Sequence, residues 1–403
     1  SAVPKAVSFI RPRTCLSPNF ENAFYRSMNL KTQYMLWIFV FCTGLQTLNS
    51  ADWPMHRGNP GLQGKSDVRL GNSLVLKWTY DTGEFLKSSV VVSNEIAYVG
   101  SEDGILHAID TRTGKKKWIF KTEMAIEAPP LLHKGKVIVG STDGFLYSIN
   151  QENGKFLWKY ETMGEIMGAA NQAFRPKAQD DVFIVGSYDN FVHCVNADSG
   201  KMLWKFEAQN YINGVPTIYD QKYVVFGGCD AMLYVIRLED GKNFKSIEVE
   251  APIAASVAVA DGVGYVGDMD RSVSAFDLQT GETIWNYRDK SFPYFSSPAI
   301  SEKHLFIGGR DKGMHCIDRV SGKRIWRFSA RGRIDSSPVI TFDKIVFGSM
   351  DGKLYILSQT DGKEIASYEV GEPISSTPAV TDRNIIVGCE DGKVYAFETE
   401  NLK

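Results

Sequence analysis

The sequence is first informative through what it has little of. Six of its 403 residues are cysteine, and no two are adjacent or spaced as Cys-x-x-Cys. A zinc site built from paired cysteines is thereby excluded. Cys15 and Cys42 fall in the first fifty residues, while Cys194, Cys229, Cys316 and Cys389 suggest no disulfide framework. Positive charge is not in surplus, with 45 Lys and Arg against 47 Asp and Glu and a formal net charge of −2. Nucleic acid is therefore not expected as the main partner, because neutralising phosphates requires concentrated basic residues. No zinc spacing, nucleophile elbow or phosphate loop occurs. A sustained helical period is also missing after residue 74.

The N-terminal region divides into three parts. Residues 1–27 show no periodicity and are an unassigned leader. Residues 28–51 have the layout of a signal peptide: a lysine near the start, an apolar run over Met35 to Cys42, and small and polar residues leading to Ser50-Ala51. That run is short of the ~20 residues that span a bilayer, so no stable membrane span is expected in the mature chain. The expected location is extracytoplasmic, periplasmic or secreted; membrane anchoring is the alternative. Residues 52–73, opening "DWPMHRGNPGLQG", form an N-terminal lead-in segment.

From residue 74 the chain is a repeat. An aspartate recurs at Asp103, Asp143, Asp189, Asp230, Asp270, Asp311, Asp351 and Asp391, with spacings of 40, 46, 41, 40, 41, 40 and 40. A tryptophan keeps step with it at Trp78, Trp118, Trp158, Trp204, Trp285 and Trp326, and Phe244 and Ala366 fill the two empty slots. Each unit reads as four short strands: a small-residue and proline opening ("FSSPAI"), a β-branched run ending in glycine ("KVIVG"), an alternating strand ("FLYSIN") and a strand carrying the tryptophan ("KFLWKY"). Four-stranded units of this period predict an all-β fold, a single eight-bladed β-propeller spanning 74–403. The eighth unit reaches Lys403 without a fourth strand, and residues 74–80 are a fourth strand without a blade. Pairing the two closes the ring and removes both open edges. The longer spacing in the third unit maps to extra residues around Arg175 to Asp180, expected as a longer surface hairpin.

Physical roles account for the repeat without a ligand. The aspartate caps backbone N–H groups of its turn and glycine supplies a left-handed conformation. The six tryptophans are expected to dock each blade on the next. His107, His193 and His315 share one slot with Tyr147, Tyr234, Ser274, Tyr355 and Tyr395, which suits a half-buried amphipathic residue and not a metal ligand. His56, His133 and His304 are isolated.

The pattern Ala-Ile-Asp-x-x-Thr-Gly-Lys-x-x-Trp at 108–118, with its relatives "SINQENGKFLW", "CVNADSGKMLW", "AFDLQTGETIW" and "CIDRVSGKRIW", resembles the repeat of the pyrroloquinoline-quinone (PQQ)-like propeller superfamily. The resemblance covers 74–403, and the lead-in is similar to one preceding some bacterial members. It implies a propeller similar to the propeller subunit of the outer-membrane β-barrel assembly machinery, a non-enzymatic scaffold for a protein or peptide partner of the cell envelope, acting as a monomer within a larger complex. The superfamily's dehydrogenases add calcium, acidic ligands and often a vicinal disulfide over the cofactor. Without adjacent cysteines or long inter-blade insertions, no cofactor, metal or catalytic residue is expected here. A small PQQ- and calcium-dependent oxidoreductase is the runner-up, and a polysaccharide- or small-ligand-binding propeller is third.

One slot does not follow the repeat. Lys87, Glu127, Met167, Asn213, Ala254, Phe295, Asp335 and Ser375 stand just before each first strand, where they should face the funnel mouth. Packing does not demand polar residues there. With Tyr211, Tyr294, Arg331 and Arg333 nearby, Lys87, Glu127, Asn213, Phe295 and Asp335 form the expected contact surface.

Overall fold

The computed structural model describes residues 52–289, 292–382 and 384–400. The leader, the signal-peptide segment and Lys403 lie outside the described residues. Among the described residues every regular element is a β-strand, and the strands form eight four-stranded antiparallel sheets. Seven sheets are laid down in chain order. The first holds Val91–Ser93, Ile96–Gly100, Ile105–Asp110 and Lys116–Lys121, running from the innermost strand to the outermost. In the eighth, Ala379–Val380, Ile385–Gly388 and Lys393–Glu398 are completed by Val75–Asp81. That strand pairs antiparallel from Val75 opposite Glu398 to Asp81 opposite Lys393. The ring is therefore closed by the N-terminal strand.

Burial follows position in the blade. Second and third strands such as Lys136–Gly140 and Phe145–Asn150 are buried on both faces, whereas the outer strand Phe156–Glu161 alternates. Continuous apolar runs therefore sit between neighbouring blades, and the alternating strand meets solvent. In all eight blades the pairing of third and outer strands slips by a residue, as at Ala108/Ile109 and Ser148/Ile149. A bulge of this kind re-aims the neighbouring side chain, the tryptophan where a blade has one. In the fourth blade the bulged residue is Phe244, so Lys245 and not Phe244 takes the tryptophan's place, packing on Gly281 and donating to Thr280 O.

The tryptophans dock on the following blade at the glycine of the turn between its third and outer strands. Trp78 lies against Gly114, Trp204 against Gly241 and Trp326 against Gly362, each glycine with φ +68. A Cβ there would enter the indole as well as strain the backbone. The indole Nε1 also donates across the blade boundary: Trp78 to Thr111 O (2.7 Å), Trp118 to Gln151 O (3.1 Å), Trp204 to Leu238 O, Trp285 to Arg319 O and Trp326 to Gln359 O (each 2.9 Å). Trp158 packs on Gly200, but its Nε1 has no partner. The corresponding carbonyl, Ala197 O, accepts Lys136 Nζ instead.

The repeat aspartates cap their turns as expected. Asp143 Oδ1 accepts Phe145 N and Oδ2 accepts the Tyr147 hydroxyl; Asp351 and Asp391 repeat the arrangement. In the fifth blade the cap moves from Asp270 to Asp268, whose Oδ1 accepts the amides of residues 270, 271 and 272. The His/Tyr slot obeys a rule spanning two blades. Where it holds histidine, the outer strand of the preceding blade supplies a tyrosine hydroxyl to Nδ1: Tyr80 to His107 (3.1 Å), Tyr160 to His193 (3.0 Å) and Tyr287 to His315 (3.0 Å). Where it holds Tyr147, Tyr234 or Tyr355, the facing residue is Phe120, Phe206 or Phe328.

The third-blade insertion is a hairpin, with Asn171–Arg175 and Asp180–Gly186 longer than their counterparts and Arg175 paired to Asp180. Cys194, Cys229, Cys316 and Cys389 are all free thiols.

The lead-in is more than a linker. Inner strands pair on one side only, which leaves their other edge unsatisfied. Residues 53–64 run along those edges: the carbonyls of Trp53, Pro54, Pro60, Gly61, Gln63 and Gly64 accept the amides of Val92, Leu132, Ile218, Val259, Ile300 and Ile340 at 2.8–3.0 Å. Asn171 Nδ2 reaches Pro60 O in the third blade, and Asn72 N reaches Glu400 O in the eighth. This strap, residues 53–64, thus bonds to the inner strands of seven blades, and Asn72 adds the eighth beyond its third strand. The strap's Arg57 is fully buried and donates to Pro338 O (2.6 Å) and Pro298 O (2.7 Å) with no carboxylate partner; burial depresses its pKa to about 9. The strap sits at a slot five residues beyond Lys87 along the inner strand, roughly 16 Å of extended chain. It therefore lies away from the mouth.

Candidate functional site

The mouth is built by the backbone before any side chain matters. The second residue after each second strand donates its amide to the carbonyl two positions before the varying slot. Glu102 N to Phe85 O, Cys229 N to Tyr211 O, Arg310 N to Pro293 O and Met350 N to Arg333 O illustrate a bond present in every blade. Behind it lies a belt of hydroxyls that knits blade to blade: Val215 N to Ser256 Oγ, Ser256 N to Ser297 Oγ, Ser297 N to Ser337 Oγ and Thr377 N to Ser89 Oγ, at 2.9–3.1 Å. This belt explains the small residues that open each first strand. They bind neighbours, so the rim above them is free to vary.

The expected contact residues gather at this rim with one exception. Lys87 Nζ pairs with Glu102 (2.8 Å) and with Glu127 of the next blade (3.2 Å). Burial works against the Lys87 charge, but these hydrogen bonds outweigh it and raise its pKa. Asn213 accepts the Tyr188 hydroxyl and donates to Cys229 Sγ at 3.0 Å. Tyr188 stacks on Tyr211 with centroids 4.8 Å apart and planes 11° from parallel. Asp335 receives two arginines, Arg310 (3.0 and 3.1 Å) and Arg333 (3.1 Å). The Arg310 guanidinium also lies 3.7 Å from the centroid of Phe295. Arg331 is exposed, and its backbone amide donates to Asp351. Tyr294 is the correction: only 2% exposed, it packs edge-on to His315 between blades and offers no contact area.

A second tier was not anticipated from the sequence: Glu102, Tyr188, Cys229, Met269, Arg310 and Glu390 stand two residues beyond the second strands of their blades. The signal was available, since this slot varies while the aspartate that follows it does not. Cys229 is no nucleophile, because burial first and Asp230 second raise its thiol pKa.

One group among the described residues brings three potential metal ligands together: Asp289, Asp311 and His315. Most of its polar atoms are engaged: Arg324 holds Asp289 (2.7 Å), Arg327 holds Asp311 (2.8 Å), and His315 lies between Tyr287 and Asp311. Asp289 Oδ2 is buried without a hydrogen-bond partner. At the mouth, Glu102 and Glu127 share Lys87, and Asp335 is held by Arg310 and Arg333.

The comparisons agree with this geometry. Residues 75–190 match the model described as outer membrane protein assembly factor BamB. No curated protein matches the sequence. Among solved structures, BamB from Moraxella catarrhalis superposes with a TM-score of 0.68 at 16% identity, covering 81% of this chain and 99% of its own. A quinohemoprotein alcohol dehydrogenase from Pseudomonas putida HK5 gives 0.73 at 12% identity, covering 88% and 81%. A europium-containing methanol dehydrogenase gives 0.72 at 14%, covering 86% and 98%. The fold is thus a PQQ-like propeller similar to BamB. A further model, described as the beta-propeller of beta-alanine-activating enzyme, matches residues 169–403, more than half the sequence, and the chain belongs to that propeller family.

Proposed function

We propose that this chain is a non-enzymatic, extracytoplasmic protein-binding module of the cell envelope, a scaffold that engages its partner through the funnel mouth. The observation that carries this reading is the rim, where exposed aromatic and charged side chains replace the repeat above a belt of hydroxyl-to-backbone bonds between blades. The strap runs along the inner-strand edges away from the mouth, which leaves the mouth's rim uncovered by it. Likeness to BamB supports a protein partner; the dehydrogenase neighbours support the fold and motivate the control for a quinoprotein reading.

A photo-crosslinking residue at Tyr211 or Arg331, with Ile119 on the outer edge as comparison, tests the surface in an envelope fraction. A discrete adduct from the two mouth positions and none from Ile119 is expected. Equal labelling from all three overturns the assignment. Titration with PQQ and Ca²⁺ is the second arm: stoichiometric binding with dye reduction by an alcohol or sugar would replace the scaffold by an oxidoreductase.

A further inference from the structure

The mouth is chemically divided. Around one side, from the third to the seventh blade, lie the stacked Tyr188 and Tyr211, the exposed Met269, then Phe295 under Arg310, ending at Arg331 and Arg333. Of the three guanidinium groups here, Arg310 and Arg333 share the rim carboxylate Asp335 while Arg331 is exposed beside them. With Glu165 counted next to Tyr188, the balance on this side is still positive. Around the other side Glu102, Glu127 and Glu390 face a single cation, Lys87.

We infer that the mouth takes an extended polypeptide segment whose aromatic or apolar residues lie on the Tyr188–Phe295 side and whose acidic residues follow them onto Arg331 and Arg333. This rests on the protein-binding reading above and adds the chemistry and direction of the partner. Three features select that occupant. Planar tyrosines and a methionine give wide apolar contact at low entropic cost, as in protein-binding surfaces. Arg331 has no carboxylate of its own, so an incoming one completes it, and Arg333 can share its fork between Asp335 and a second acid. The acidic side repels a continuous polyanion: a nucleic acid crossing the mouth would meet Glu102, Glu127 and Glu390. A peptide with charge at one end avoids them.

Fluorescein-labelled twelve-residue probes test this with the whole protein. One carries two aromatics followed by three aspartates, and a second replaces the aspartates with lysines. The acidic probe is expected to bind at least about tenfold more tightly at low salt, with the gap closing toward 0.5 M salt as rim charges are screened. Arg331→Glu together with Arg333→Glu should reverse the preference, and Tyr211→Ala should weaken both probes. A reversed preference also shows that the double variant is folded. Equal affinities, absence of binding to either probe at millimolar concentration, or displacement of the acidic probe by a single-stranded oligonucleotide overturns the inference. If crosslinking at Tyr211 and Arg331 still succeeds in that case, the protein-binding reading stands and only the partner's chemistry was wrong. If crosslinking fails as well, both fall.

Discussion

Replacing Trp326 and Trp158 separately by phenylalanine isolates one hydrogen bond between blades. Both indoles are half-buried, and both lie on a turn glycine, Gly362 or Gly200, with φ +68. Indole to phenyl removes similar apolar area in each case, so the packing loss is nearly common to the two. They differ at Nε1: Trp326 donates to Gln359 O at 2.9 Å, whereas Trp158 donates to nothing. Leaving a buried carbonyl unsatisfied costs about 1–3 kcal/mol, so Trp326→Phe should destabilise by ~1–2 kcal/mol more than Trp158→Phe. For a propeller of roughly 350 residues, with unfolding entropy near 2.1 cal/mol/K per residue, that is a gap of about 2 °C in Tm. Alanine at either site should cost roughly 3–5 kcal/mol, because the cavity term then dominates. Calorimetry and urea midpoints measured on the same preparations provide the comparison. Equal losses for the two phenylalanine variants would show that the Nε1 bonds contribute nothing to blade docking.

Three further expectations concern other parts of the ring. Tyr160→Phe alone orphans His193 Nδ1 and should cost ~1–2 kcal/mol; adding His193→Tyr recreates the Phe120–Tyr147 pairing and should recover most of it, a double-mutant coupling that urea denaturation reads directly. Burial lowers the pKa of His107 to about 4 and of His56 to about 3, so the unfolded chain, near 6.5, takes up those protons first. Stability should therefore fall as pH drops from 6.5 toward 4, with His107 contributing at most about 3 kcal/mol. His107→Tyr combined with Tyr80→Phe should flatten that slope in urea midpoints taken between pH 4.5 and 7. Gly64→Ala should destabilise far more than Gly83→Ala: both have positive φ, but a Cβ at Gly64 collides with the Arg57 guanidinium and one at Gly83 meets nothing. Similar melting temperatures for the two would mean that the strap carries little stability.

The fold was legible because the propeller repeats its signals. Eight aspartates and six tryptophans at a steady interval announced blades, and an orphan strand at Val75–Asp81 announced how they close. Each depends on local turn chemistry or on alternation, which one chain displays. The strap was not legible, because its partners are backbone amides 39 to 276 residues away, for Val92 and Ile340, and amides carry no sequence signature. The rim was half legible: variation at Lys87, Asn213 and Asp335 pointed to it. Tyr294, one residue before a rim position, faces the opposite way along an extended segment and is buried, an outcome strand alternation itself demands.

The strap also orders events in time. Residues 53–64 precede every blade in the chain, yet their carbonyls pair with amides as distant as Ile300 and Ile340, and Arg57 needs Pro298 and Pro338. Each blade can form by local hairpin closure, whereas the strap and the strand Val75–Asp81 must find partners across nearly the whole length of the chain. Folding by local closure first thus passes through an open crescent before the ring is sealed. Throughout that interval the same bare edges that the strap later covers are available to other polypeptides. The interval is a period of exposure that a holding chaperone would shorten, and it ends only when the eighth blade is complete.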